Sequence, residues 1–255
     1  VMFFFRKKTH VVDCFVANQM VYEHFPIAPA KEFIPAWFKT LESTYKVNVP
    51  NTLRDRAATV KRCPGISNLF NKGFVLPLWT DMKLHFNALD NNQFEFKYEA
   101  AVEDPYWRME VHDSKQYTGL FGDNFFQSKI ASPWLIKEKS GLDFMFIEPT
   151  YTMTNPNIFT VIPGVLNFKY QNYANINIMT EITNPMQKQI DISAGEPLAH
   201  IIPLTEDNVE LRIHKLSKEE FEKLDESTCS YKWYGTYFDR KKKIDKKCPV
   251  HRKDM

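Results

Sequence analysis

A mainly-β chain of the α+β class is predicted by three features. Apolar segments of strand length recur through residues 129–214, turn residues separate them, and helical spacing is confined to the two ends. With 255 residues and 44% hydrophobic content, the chain can bury most of the surface its unfolded form exposes, so a cored globule is expected rather than disorder. Aromatic residues make up 15% of it (21 Phe, 11 Tyr, 5 Trp) against 8 Gly. Rigid rings must therefore fill the interior or a contact surface, and glycine-rich phosphate loops have little to be built from.

After Pro29, the residues Phe33, Ile34, Trp37, Phe38 and Leu41 fall at helical spacing and predict one short amphipathic helix packed on the core. From Phe74 the period changes. Leu84, Phe86 and Ala88 alternate with Lys83, His85 and Asn87, and after Asp90-Asn91-Asn92 the alternation resumes at Phe94, Phe96 and Tyr98. That predicts a β-hairpin with His85 on its exposed face. Residues 99–128 mix acids with rings and read as a loop-rich segment pinned by its aromatic side chains. Strands are expected at Trp134–Ile136, Phe144–Ile147, Ile158–Ile162, Asn175–Ile182, Ile190–Ile192, Leu198–Ile202 and Val209–Ile213. Turns fall at Ser140-Gly141, Asn155-Pro156-Asn157, Pro163-Gly164, Asn184-Pro185 and Ala194-Gly195. Strands so spaced build a β-sandwich or barrel, not a βαβ sheet.

Ser217 and Glu220 form a capping box, and Leu216 with Phe221 has the spacing of a hydrophobic staple, so a helix starts at Lys218 and runs toward Tyr231. The expected organisation is an N-terminal α+β part over 1–128 packed on a β domain at 129–214, then a C-terminal aromatic helix at 215–238 and a basic tail at 239–255.

Charge is uneven. Residues 239–255 carry net +5 and the preceding 238 carry net −3. The tail reads as a solvated, poorly ordered end. Beside it, Tyr231, Trp233, Tyr234, Tyr237 and Phe238 are more rings than one buried stripe accommodates, so they are the predicted partner surface, for a protein rather than a nucleic acid. Cys14, Cys63, Cys229 and Cys248 are far apart and lack a Cys-x-x-Cys pair, so reduced thiols and no metal site are expected. No apolar run approaches the ~18 residues of a membrane span, which predicts a soluble intracellular product with no membrane association. No catalytic residue is assigned: no His-x-Asp motif is present, and neither serine nor cysteine has a histidine predicted near it.

Three segments carry a resemblance: Pro133-Trp134-Leu135-Ile136-Lys137 with Ser140-Gly141, then Gly164 to Tyr170, then Gly195 to Pro203. Their order is similar to the β-clip domain of the dUTPase and dCTP deaminase superfamily, whose middle element reads Gly-x-Ile-Asp-x-x-Tyr-x-Gly. The resemblance implies a β-clip-like barrel at 129–214 and a trimer. It also implies a ligand pocket that uses Gly164, Asn167 and Tyr170, with His200 where the superfamily has glutamine. Gly164 and Tyr170 match the pattern, but Asn167 stands in place of the water-orienting aspartate and Asn172 in place of the last glycine. A neutral amide has no basic site, so Asn167 can hold a water but not activate it. The phosphate-binding Arg-Ser-Gly is replaced by Glu148-Pro149-Thr150, and a glutamate there repels a triphosphate.

The whole chain also resembles an uncharacterised family of large tailed marine phages, with distant bacterial relatives. The segments that carry this are Ile34 to Lys39, Thr59 to Gly65, Gly73 to Leu78, Ser132-Pro133-Trp134, residues 195–203 and the aromatic-basic end from Tyr231 to Lys243. The resemblance implies residence in the cytoplasm of an infected bacterial host or in the virion, and it implies no activity. The expectation is a non-catalytic β-clip-like binding or structural protein, forming a homo-oligomer and needing no cofactor. The alternative is a dUTPase-like nucleotide binder or hydrolase with a degenerate site, for which magnesium would be the cofactor.

Overall fold

The computed structural model of the chain describes residues 7–47, 56–89, 93–102, 104–112, 116, 125–149, 159–181, 188–228 and 236–246. The strands are β1 (Thr9–Val16), β2 (Ala28–Pro29), β3 (Thr44–Lys46), β4 (Arg56–Ala58), β5 (Phe74–Pro77), β6 (Met82–Leu89), β7 (Gln93–Ala100), β8 (Arg108–Val111), β9 (Phe125–Glu138), β10 (Asp143–Ile147), β11 (Thr160–Val161), β12 (Gly164–Asn167), β13 (Tyr173–Glu181), β14 (Lys188–Ile192), β15 (Pro197–Pro203) and β16 (Asn208–Lys215). The helices are α1 (Gln19–His24), α2 (Ala36–Thr40), α3 (Pro64–Asn71), α4 (Lys218–Thr228) and α5 (Thr236–Lys246). The fold is mainly β, of the α+β class, as the sequence predicts.

Two sheets carry the core. One has the order β11-β13-β9-β1-β16, with β8 also on β9; the other runs β12-β10-β15-β5-β2. Strand β9 joins the first sheet together. One edge pairs with β13, while the other pairs with β8 at 128–131 and with β1 at 135–138. Along β13 the pleat sends Ala174, Ile176 and Ile178 into the core, and along β1 it sends Val12, Cys14 and Val16 there. Facing them, Phe144 lies 6.0 Å from Phe74 and 5.0 Å from Phe168, which accounts for part of the aromatic excess. Each fully buried ring of this kind contributes about 1.5–3 kcal/mol of transfer free energy.

The hairpin from Met82 to Ala100 forms with Leu84 opposite Tyr98 and Phe86 opposite Phe96, and β14 extends it to three strands. His85 is half-buried rather than exposed, with Nε2 3.4 Å from Glu99 Oε1, because its neighbours across both strands cover the ring. The capping box forms as predicted: Glu220 N–H donates to Ser217 Oγ and Ser217 N–H donates to the Glu220 carboxylate. Phe221 is buried behind it.

Three expectations are corrected. The helix over 33–41 divides into a 3-10 turn at Ala30–Phe33 and the short α2, because Pro35 holds Ile34 in an extended conformation. Only Phe38 of that stripe is buried, and Trp37 is 45% exposed. The boundary drawn at 128/129 falls inside β9, and β1 lies between β9 and β16, so the main sheet runs through both parts. The tail expected to be poorly ordered from residue 239 instead begins inside α5. The turns at 155–157 and 184–185, Cys229, Cys248 and the rings Tyr231, Trp233 and Tyr234 lie outside the described residues.

Gly73 shows how closely α3 and β5 approach β15. Its φ is +78°, and a Cβ there would stand 2.1 Å from the Ile201 carbonyl oxygen. Gly73→Ala combines a left-handed backbone with a clash against main chain, so it is expected to lower unfolding free energy by about 2–3 kcal/mol in urea titration.

Candidate functional site

The segment carrying the β-clip resemblance folds as the strand β12 followed by a tight turn into β13. Asn167 ends the strand with its side chain committed to the fold. Nδ2 donates to Gly141 O and Asp143 Oδ1, both at 2.7 Å, while Oδ1 accepts from Lys169 N–H at 3.1 Å. The amide thus ties the turn after β12 to the turn before β10. Asn172 does the same at the other end, donating to Ile136 O (2.8 Å) and Phe168 O (3.0 Å) and accepting from Arg240 Nη2 (2.7 Å).

Helix α5 docks on this turn. The Tyr170 hydroxyl donates to Asp245 at 2.7 Å, and the Tyr237 ring meets Tyr170 edge-on at 6.0 Å. The ammonium groups of Lys169 and Lys241 each lie 5.5 Å from the Tyr170 centroid. Burial, then the hydrogen bond to Asp245, push the Tyr170 phenol up to about 12, so it remains a donor at neutral pH. On the strand β15, the His200 Nε2–H donates to Lys72 O at 2.7 Å, and burial holds the ring below its ordinary pKa. His200 is thereby a neutral core histidine on a different strand. Gly164 opens β12 with clear space beside its Cα.

Of the four ligand positions expected from sequence, only Gly164 lines a cleft of about 480 Å³ beside β13. The cleft lies between residues 161–166 and the outer face of β13, where the alternation that buries Ala174 and Ile176 turns Tyr173, Asn175 and Asn177 outward. Gln171, His112 and Tyr237 complete its polar and aromatic lining. Lys129 lies opposite Asn177 in the sheet and is ion-paired with Glu110 on β8. Burial raises the Glu110 carboxyl, but hydrogen bonds from Lys129 and Arg108 outweigh that and keep it below its ordinary value. Among the described residues no carboxylate lines the cleft. The Asn177 Oδ1 is buried there with no hydrogen-bond partner among the described residues. Every other residue from Tyr173 to Asn177 is polar, a signal present in the sequence that the strand assignment did not use. Glu148 follows β10 near Val161, where burial raises its pKa against hydrogen bonds from the Val161 amide and Thr160.

A second polar cluster was not predicted. His10 contacts Ser140 Oγ through Nδ1 (2.7 Å) and Asp207 Oδ2 through Nε2 (3.1 Å), the residue types of a hydrolase triad. The N–H groups of Ser140, Gly141 and Leu142, which could stabilise an oxyanion, all donate to the Glu138 carboxylate at 2.7–2.9 Å. The protein's own anion fills the place, so the cluster clamps β1, the β9–β10 turn and the 205–207 turn together. No family model matches this chain, and no curated protein matches it.

Two outcomes follow. Burial raises the Glu138 carboxyl, but its hydrogen bonds to Ser140, Leu142 and Gly141 prevail and hold it below the ordinary glutamate range. Its stabilisation is therefore complete above the unfolded-state pKa and lost as pH falls through the lower folded-state pKa. Glu138→Gln should cost about 3 kcal/mol at pH 7 and flatten the acid side of a stability–pH profile. Tyr170→Phe removes the tie to Asp245 at a cost of about 1 kcal/mol, which hydrogen exchange should read as roughly five- to tenfold faster opening of residues 236–246.

Proposed function

We propose that this chain is a non-catalytic binding protein whose small, neutral polar ligand occupies the cleft beside β13. The observation that carries this reading is Asn177, a residue of the cleft lining whose Oδ1 is buried with no hydrogen-bond partner among the described residues. A buried acceptor left unpaired costs about 1–3 kcal/mol, and a ligand N–H or O–H offsets that cost. The surrounding amides of Asn175 and Gln171 supply donors and acceptors, and Tyr173 and Tyr237 supply flat apolar faces. This set suits a nucleobase, a nucleoside or a sugar.

Binding without turnover is supported by the chemistry of the lining. Lys129 is neutralised by Glu110, the other polar side chains of the lining are amides, phenols and the His112 imidazole, whose Nδ1 is engaged by the Gln116 side chain, and Asn167 and Tyr170 spend their polar atoms on the turn and on α5. A hydrolytic reading needs a base poised beside a held water, and the position that the β-clip resemblance assigns to it carries an amide with both ends bonded within the protein. Residence in an infected host cell or in a virion, and assembly as a homo-oligomer, belong to the same proposal and rest on the resemblances alone.

The test is a thermal-shift series with deoxynucleosides, their mono- to triphosphates and common monosaccharides, on the native chain and on Asn177→Leu. A ligand present at 100 times its Kd stabilises the fold by about 2.7 kcal/mol. Asn177→Leu should raise the melting temperature of the free protein, by removing a buried unpaired acceptor, and abolish the ligand shift. A compound that stabilises both proteins equally, or a panel in which nothing shifts the native chain, overturns the reading.

A further inference from the structure

We propose that the described residues 30–47 and 56–72 form a binding surface for single-stranded nucleic acid, separate from the cleft. Residues 30–47 and 56–72 hold seven Lys and Arg against two Glu, net +5, whereas residues 73–235 carry net −9. Apart from its basic C-terminal end, the chain therefore concentrates cations on one excursion from an acidic body.

The structure gathers these described residues into one unit. Phe38 of α2 packs on Phe70 of α3 at 4.8 Å, and Lys61 Nζ donates to Lys39 O, capping the end of α2. Thr59 N–H donates to Ser43 O, which fixes the β3–β4 ribbon beside α2. On this unit Lys31, Lys39, Lys46 and Arg62 are exposed, and none has a carboxylate partner among the described residues. Two large rings stand out with them, Trp37 at 45% and Tyr45 at 52% exposure.

The ribbon adds a second, independent observation. Lys46 and Arg56 are direct partners across β3 and β4, although like charges placed opposite each other destabilise a strand pair. Arg56 has one exposed carboxylate, Glu42, at 3.8 Å, which leaves the pair net positive. A polyanion relieves that repulsion. Phosphates draw exposed Lys and Arg by counterion release, and unpaired bases stack on exposed rings; single-stranded nucleic acid uses both features, while a duplex or an acidic protein uses only the charge.

Fluorescence anisotropy of the full-length chain with labelled dT15 and rU15 at low salt tests this. Binding should weaken as salt rises. Trp37→Ala and Tyr45→Ala should each weaken it about tenfold, and Lys39→Glu with Arg62→Glu should weaken it further while circular dichroism stays native. Asn177→Leu should bind the oligonucleotides as the native chain does, which separates this surface from the cleft. Any of three results overturns the proposal: no binding at low salt, equal affinity for a duplex of the same length, or self-association lost in the Lys39→Glu, Arg62→Glu variant with no oligonucleotide bound.

Discussion

Two buried side-chain amides hold the turn from which this architecture is organised. Asn167 joins the end of β12 to the approach to β10, and Asn172 joins the start of β13 to Ile136 of β9. The first lies in one sheet and the second borders the other, so the pair fixes how the two sheets meet at this corner. Each amide has several bonds within the protein: removing Asn172 would leave the carbonyls of Ile136 and Phe168 without its donor, and removing Asn167 that of Gly141, at a cost of the order of 1–3 kcal/mol for each buried carbonyl left unmet. The turn in turn presents Tyr170 and Asn172 to α5, so the C-terminal helix takes its position from the same two residues.

The β-clip resemblance rests on spacing, and the side chains at its positions are placed by their surroundings. A motif preserves spacing along the chain. It could not say which polar groups remain free. Asn167 looks like an amide in place of a catalytic acid, yet its environment has made it a brace. The group left facing the cleft is Asn177, ten residues later, selected by the pleat of β13.

The strands were legible because one face of each is apolar at period two, a local signal that needs no knowledge of neighbours. Ser217 and Glu220 were legible for the same reason, since a capping box is complete within four residues. What escaped were features set by contacts distant in sequence. Among them are β1 between β9 and β16, the clamp of His10, Ser140 and Asp207, and the docking of α5 on Tyr170. The split at Pro35 was readable, because proline restricts the residue before it, but the helical spacing of Phe33, Trp37 and Phe38 masked it.

The two polar clusters show how one chemistry can be spent in opposite ways. Around Glu138 a carboxylate meets three backbone N–H groups and a serine hydroxyl, so a potential oxyanion site is closed by an internal ion and contributes stability. Along β13 the amides face a cleft, and the Asn177 oxygen is left unpaired at a cost to stability. An apolar side chain would fill the same space without that penalty. The ligand proposed for the cleft beside β13 would supply the donor that the Asn177 oxygen lacks among the described residues, whereas the Asn167–Asn172 turn meets its polar groups from within the chain.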